Sequence, residues 1–172
     1  MDKREKFQQL FLLQRDFINF FSTSDVLEIL YEVLTEEEID YLNGQNTVFV
    51  RSCSPASKTV LNGFNVYKDK EFLTLINVDQ DFYKKLLPEE YVGIMLHEIG
   101  HVLNSESKCI GYLDSECIAD LYANTKGFGR YIITGLEKGL KNGWTNFNKA
   151  DCDLRISALR MNPMKTYGVD EE

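Results

Sequence analysis

The sequence predicts a mainly helical α+β domain with one small antiparallel sheet, and three observations carry that prediction. Apolar residues recur at three- and four-residue spacing in the first quarter and in the second half of the chain, the mark of helices that bury one stripe. β-Branched and aromatic residues concentrate in one middle stretch, 47–78. Turn and stop residues separate these segments without any repeat, linker or low-complexity tract, so residues 1–172 read as a single domain. At 172 residues, 44% hydrophobic and 27% charged, the chain is long and apolar enough to bury a sizeable core.

Phe7, Leu10, Phe11, Phe17, Ile18 and Phe21 fall on one stripe and predict an amphipathic helix over 3–21. A second helix follows from Ser24 to Leu34. Thr35 with Glu38 three residues on forms a capping box that opens a third, which Asn43-Gly44 stops. Thr47–Ser52 reads as a strand, and 64–67 with 71–78 reads as a hairpin around Lys68-Asp69-Lys70. Asp79 or Asp81 caps a short helix to Leu87. Pro88 then suits the first turn of a helix whose apolar residues continue to Leu103, where Asn104 ends it. Asp114 or Ser115 opens a helix to about Lys126 before Gly127, and further helices lie near 129–142 and 147–160.

Lys plus Arg is 19 against 27 Asp plus Glu, a formal charge of −8, which repels phosphates and anionic lipid and argues against nucleic acid as a partner. No run of 18 apolar residues predicts a membrane span, and Asp2, Glu5, Gln14, Arg15 and Asp16 interrupt the apolar N-terminus too early for a secretory signal. The expected compartment is the cytoplasm. Cys53, Cys109, Cys117 and Cys152 form no C-x-x-C pair and read as reduced packing thiols.

Both histidines of the chain lie in His97-Glu98-Ile99-Gly100-His101. Four residues on a helix is one turn plus about 40°, so the two imidazoles project from one face and can share a metal, with Glu98 beside them as a base. Two histidines and a glutamate fall into this pattern by chance roughly once in a thousand such compositions. The flanking Ile94, Met95, Leu96, Ile99, Val102 and Leu103 are apolar, which places the helix in the core, where such polar groups are costly without partners.

A catalytic zinc keeps three protein ligands and one open position, so a third ligand must come from elsewhere. Asn104 and Ser107 stand where the metzincin continuation needs Gly and His, and a carboxylate is the natural substitute. Glu116 and Asp120, four apart on the next helix, share a face. Glu116 there can bind zinc, while Asp120 can accept the free N–H of a ligating imidazole. Asp114, Glu106 and Cys117 are the alternative third ligands.

H-E-x-x-H followed by E-x-x-A-D resembles the gluzincin metallopeptidases. Over roughly 60–127 the order of strand, short helix and two motif helices is similar to the minigluzincins, to the soluble core of the prenyl-protein and heat-shock membrane peptidases and, in part, to the ImmA and IrrE regulatory peptidases. Arg155-Ile156-x-x-Leu159 is a weaker echo of a terminal R-I-x-x-L segment.

The resemblance implies a zincin-like fold with its sheet packed on the H-E-x-x-H helix. It also implies a metallopeptidase core over 46–172 behind a helical extension over 1–45. His97, His101 and Glu116 become zinc ligands, Glu98 the base and Asp120 the carboxylate behind a histidine. The implied activity is zinc-dependent endopeptidase hydrolysis of a peptide or protein substrate by a water that zinc binds and Glu98 activates. No third histidine remains to steady an oxyanion, which leaves Tyr112, Tyr122, Arg130, Tyr131 and Tyr167 as candidates.

A free edge on strand 71–78 is expected to pair with an extended peptide, with Leu73, Leu75 and Asn77 lining subsites. Phe7, Phe11, Phe17 and Phe21 are expected to shield the cleft or dock a partner. The rival reading is a catalytically silent, zinc-stabilised regulatory or binding module on the same scaffold.

Overall fold

The structure, a computed structural model, describes residues 1–11, 25–52, 57–62, 72–79, 86–104, 111–143, 148–163 and 166–168. Its described elements are seven helices and three strands: α1 (Lys3–Gln9), α2 (Val26–Val33), α3 (Glu36–Gly44), β1 (Thr47–Ser52), β2 (Ser57–Asn62), β3 (Phe72–Asp79), α4 (Pro88–Leu103), α5 (Tyr112–Thr125), α6 (Gly129–Lys141) and α7 (Lys149–Arg160). They divide into two compact units, Met1–Pro88 and Glu89–Glu172. No helix among the described residues is long and apolar enough to cross a membrane.

In the first unit the capping signals act as read. Thr35 accepts from the Glu38 backbone N–H while the Glu38 carboxylate accepts from the Thr35 N–H, and α3 ends at Gly44. Asp2 and Glu5 form a second box at the head of α1. α1 stops at Gln9 rather than running to 21. The Leu10 carbonyl, which a continuing helix would use four residues on, instead accepts from Phe49 N–H of β1 at 2.9 Å. Residues 12–24, with Phe17 and Phe21, lie outside the described residues. Phe11 stacks on Phe49 with ring centroids 4.8 Å apart, and Phe7 tilts against Phe11, so this core forms where the residues after α1 meet β1.

The sheet is mixed, which corrects the antiparallel expectation. Its order is β1-β3-β2: β1 runs parallel to β3 with Thr47 opposite Thr74, and β2 runs antiparallel with Ser57 opposite Asn77. The antiparallel partner of β3 is therefore Ser57–Asn62, and the strand expected at 64–67 lies outside the described residues. β3 is central, with neighbours on both sides, so it has no free edge for a peptide. Leu73, Leu75 and Asn77 occupy positions whose backbone lies inside the sheet. The short helix expected before Leu87 falls mainly at 80–85, outside the described residues, and Asp79 is the last residue of β3.

In the second unit α5, α6 and α7 pack against one another around Ala119, Ala123, Phe128, Ile132, Ile156 and Leu159. α4 is buried on nearly every face, and two glycines let it approach its neighbours. A Cβ on Gly93 would rest on Phe128 and Ile132 of the α6 segment. A Cβ on Gly100 would come within 2.9 Å of the Ala119 Cα. α5 ends as expected: Gly127, with φ +91°, takes the left-handed conformation that favours glycine, and its carbonyl accepts from Tyr167 N–H. α5 begins earlier than expected, at Tyr112 behind Gly111, with no side-chain cap.

Candidate metal centre

Helix geometry makes the first half of the site. His97 and His101 stand one turn apart on α4, their rings edge to face with centroids 4.7 Å apart and their Nε2 atoms 3.1 Å apart. α5 supplies the other half. The Gly100–Ala119 approach brings the Glu116 carboxylate up to both Nε2 atoms, with Oε2 3.4 Å from His97 Nε2 and Oε1 3.2 Å from His101 Nε2. Among the described residues these three form a group whose ligand atoms converge within metal-binding distance.

The spacings have a chemical meaning. A four-coordinate ion with bonds near 2.05 Å sets its ligand atoms about 3.3 Å apart; His101 Nε2 stands 3.1 Å from His97 Nε2 and 3.2 Å from Glu116 Oε1, and His97 Nε2 lies 3.4 Å from the other carboxylate oxygen. Hydrogen bonds behind the rings aim the lone pairs inward. His97 Nδ1 lies 2.7 Å from Asp120 Oδ1, a carboxylate that can only accept when ionised, so Nδ1 carries the proton and Nε2 presents its lone pair. His101 Nδ1 lies 3.2 Å from Ser115 Oγ, which frees its Nε2 in the same way when Nδ1 donates. Ser115 does not cap α5, which begins three residues earlier, and its hydroxyl faces His101. Two imine nitrogens and a carboxylate oxygen meeting at such distances are held together by a proton or by a metal ion between them. The residues therefore fit a metal ion.

Electrostatics agree with the assignment. Burial opposes charge on His97, but Asp120 and Glu116 outweigh it and raise its pKa to about 9 in the metal-free site, so a metal ion binding at Nε2 displaces a proton there. Burial pushes Glu116 up, yet His101, His97 and Arg155 hold it well below the usual carboxylate range, so it stays ionised. Asp120 is likewise lowered, by Arg155 and His97 against burial. Glu98, 6% exposed, moves the other way: desolvation raises it, with the two histidines pulling against the rise. Of the alternative third ligands, Asp114 is exposed and stands outside the converging group, and Glu106 lies outside the described residues. Burial raises the Cys117 thiol and keeps it protonated.

Two residues of the site went unassigned in the sequence. Ser115 read only as a helix cap. Arg155, on α7, grips Asp120 with two hydrogen bonds of 2.7 Å and donates to Glu116 Oε2 at 3.0 Å. Its one signal was the R-I-x-x-L echo, which named no partner. Of the oxyanion candidates, Tyr131 and Tyr167 pack on Phe128 and Arg130 is exposed. The Tyr122 Cβ lies beside Gly100, and the Tyr112 side chain is outside the described residues.

Gly100 is the hinge of this geometry. Gly100→Ala presses a methyl into the Ala119 backbone, between Glu116 and Asp120 in helical register, and is expected to cost about 1–3 kcal/mol of stability. Chemical denaturation together with metal titration checks it. Unchanged metal affinity would mean that α5 does not need this approach to place Glu116.

Compared with known proteins, the chain matches no family model, no curated protein and no solved structure.

Proposed function

We propose that the protein is a zinc-dependent endopeptidase. The observation that supports this reading best is the ligand face itself, two imidazoles and one carboxylate whose donor atoms stand 3.1–3.4 Å apart, with Glu98 next to the first ligand in the chain. Such a donor set, His₂Glu, suits zinc and leaves its fourth position open. When bound, zinc would polarise the scissile carbonyl and make a water acidic enough to attack near neutral pH.

The chain's own residues supply the rest. His97, His101 and Glu116 hold the ion, Asp120 and Ser115 fix the tautomers of the two rings, and Glu98 takes a proton from the attacking water and passes it to the leaving amine. A carboxylate whose burial raises its pKa is a stronger base for that shuttle than an ordinary exposed one.

One observation favours the second reading, a zinc-stabilised regulatory module without turnover: β3, the strand expected to receive a peptide, is paired on both sides. The experiment that separates the two is metal analysis of the full chain followed by a screen against a mixed peptide library. The peptidase reading expects one equivalent of zinc, cleavage that a chelator abolishes and zinc restores, and new amino termini in the products. Stoichiometric zinc with no cleavage of any peptide would establish the module instead, and a chain that binds no metal would end both.

A further inference from the structure

Arg155 joins the two carboxylates of the site. Its Nε and Nη2 donate to Asp120 Oδ2 and Oδ1, each at 2.7 Å, its Nη1 donates to Glu116 Oε2 at 3.0 Å, and its Nη2 lies 3.3 Å from His97 Nδ1. The side chain is 16% exposed and Asp120 1%, so these contacts are sheltered from water, where charge-assisted hydrogen bonds are strong. Glu116 is thereby divided. Its Oε1 faces His101 Nε2 at 3.2 Å, while Oε2, 3.4 Å from His97 Nε2, is the atom the guanidinium holds.

A carboxylate can bind a metal through one oxygen or through both, and zinc expands readily from four ligand atoms to five. A second oxygen on the ion would fill the position that a water or substrate needs. We propose that Arg155 is a positioning residue that confines Glu116 to one-oxygen coordination, keeping the centre four-coordinate with one exchangeable site. The two-pronged grip on Asp120 anchors the guanidinium, so the third hydrogen bond to Oε2 has a fixed origin. Lysine offers no such fork and could not hold both carboxylates in this way. The inference rests on the metal-centre reading but not on peptide turnover.

The test uses cobalt as the probe in the full chain, because four-coordinate Co²⁺ absorbs visible light several-fold more strongly than five-coordinate Co²⁺. Arg155→Met alone would strand the buried Asp120 charge and risk unfolding, so the decisive variant is Arg155→Met with Asp120→Asn. Asparagine can still accept from His97 Nδ1 through its oxygen. Asp120→Asn by itself is the reference: its single amide oxygen gives up one prong of the grip while Nη1 still donates to Glu116 Oε2, so the double variant differs from it only in the guanidinium.

The expected result is intense bands from one bound equivalent in the wild type and, at lower affinity, bands of the same intensity at saturation in Asp120→Asn. The double variant should show bands several-fold weaker, with affinity lower by roughly 10- to 100-fold. A double variant that is folded by circular dichroism and matches the band intensity of Asp120→Asn would overturn the proposal. So would weak bands already present in Asp120→Asn, which would assign the effect to Asp120. A His101→Ala chain that keeps the wild-type bands would remove the metal centre itself. That outcome is distinct from a failure confined to Arg155.

Discussion

Glu98→Gln is expected to retain one equivalent of zinc and to lose peptide hydrolysis by about 10²- to 10⁴-fold, the usual worth of a positioned proton shuttle. The amide keeps the size of the carboxylate and Glu98 is not among the converging ligands, so neither the packing of α4 nor the ligand face changes. What is lost is a group that can take a proton. The wild-type residue is suited to the task because desolvation raises it while the adjacent histidines keep the rise in check. Metal content and kcat/KM measured on the same preparation check the prediction. Retained zinc with wild-type kcat/KM would remove Glu98 from the proton transfer, and lost zinc would assign it a structural role.

The second large effect concerns stability. Asp120→Ala is expected to destabilise the protein by about 3–5 kcal/mol, the cost of removing one partner from a buried ion pair. Asp120 is 1% exposed and accepts two hydrogen bonds from Arg155 and one from His97, so alanine leaves a sheltered guanidinium without its main counter-charge. His97 is at the same time released from its tautomer, and zinc affinity should fall with stability. Urea denaturation with and without excess zinc checks both parts. Asp120→Asn is expected to lose less than the alanine variant, because its amide oxygen still accepts from the ring. Equal losses for the two variants would mean that the hydrogen bond to His97 contributes nothing.

The helices were legible where local chemistry settles them. The Thr35–Glu38 capping box, Gly44, Pro88 and Gly127 mark real ends because caps and stops act within four residues. The first half of the metal site was legible for the same reason: His97 and His101 share a face once their segment is helical. Glu116 and Asp120 could be paired on one face but not placed. Their approach to the histidines depends on the absent side chain of Gly100, which no periodicity reveals.

Where prediction failed, partners distant in sequence had prevailed. The pattern over 3–21 is amphipathic throughout, yet α1 ends at Gln9 because β1 claims the Leu10 carbonyl. The β-rich stretch 71–78 was visible, but its central place between a parallel and an antiparallel neighbour was not, since alternation along one strand does not say which strands flank it.

By itself the sequence determined that the chain carries two histidines and a glutamate in helical register, with a glutamate and an aspartate one turn apart behind them. Spacing along a helix is a local property, fixed by the backbone's own hydrogen bonds. Only the tertiary structure decided that these groups meet, that Ser115 turns to His101 and that Arg155 links Glu116 to Asp120. The physical reason is that a ligand face at spacings of 3.1–3.4 Å requires two helices in near backbone contact, and that contact is set by the packing of side chains remote in sequence.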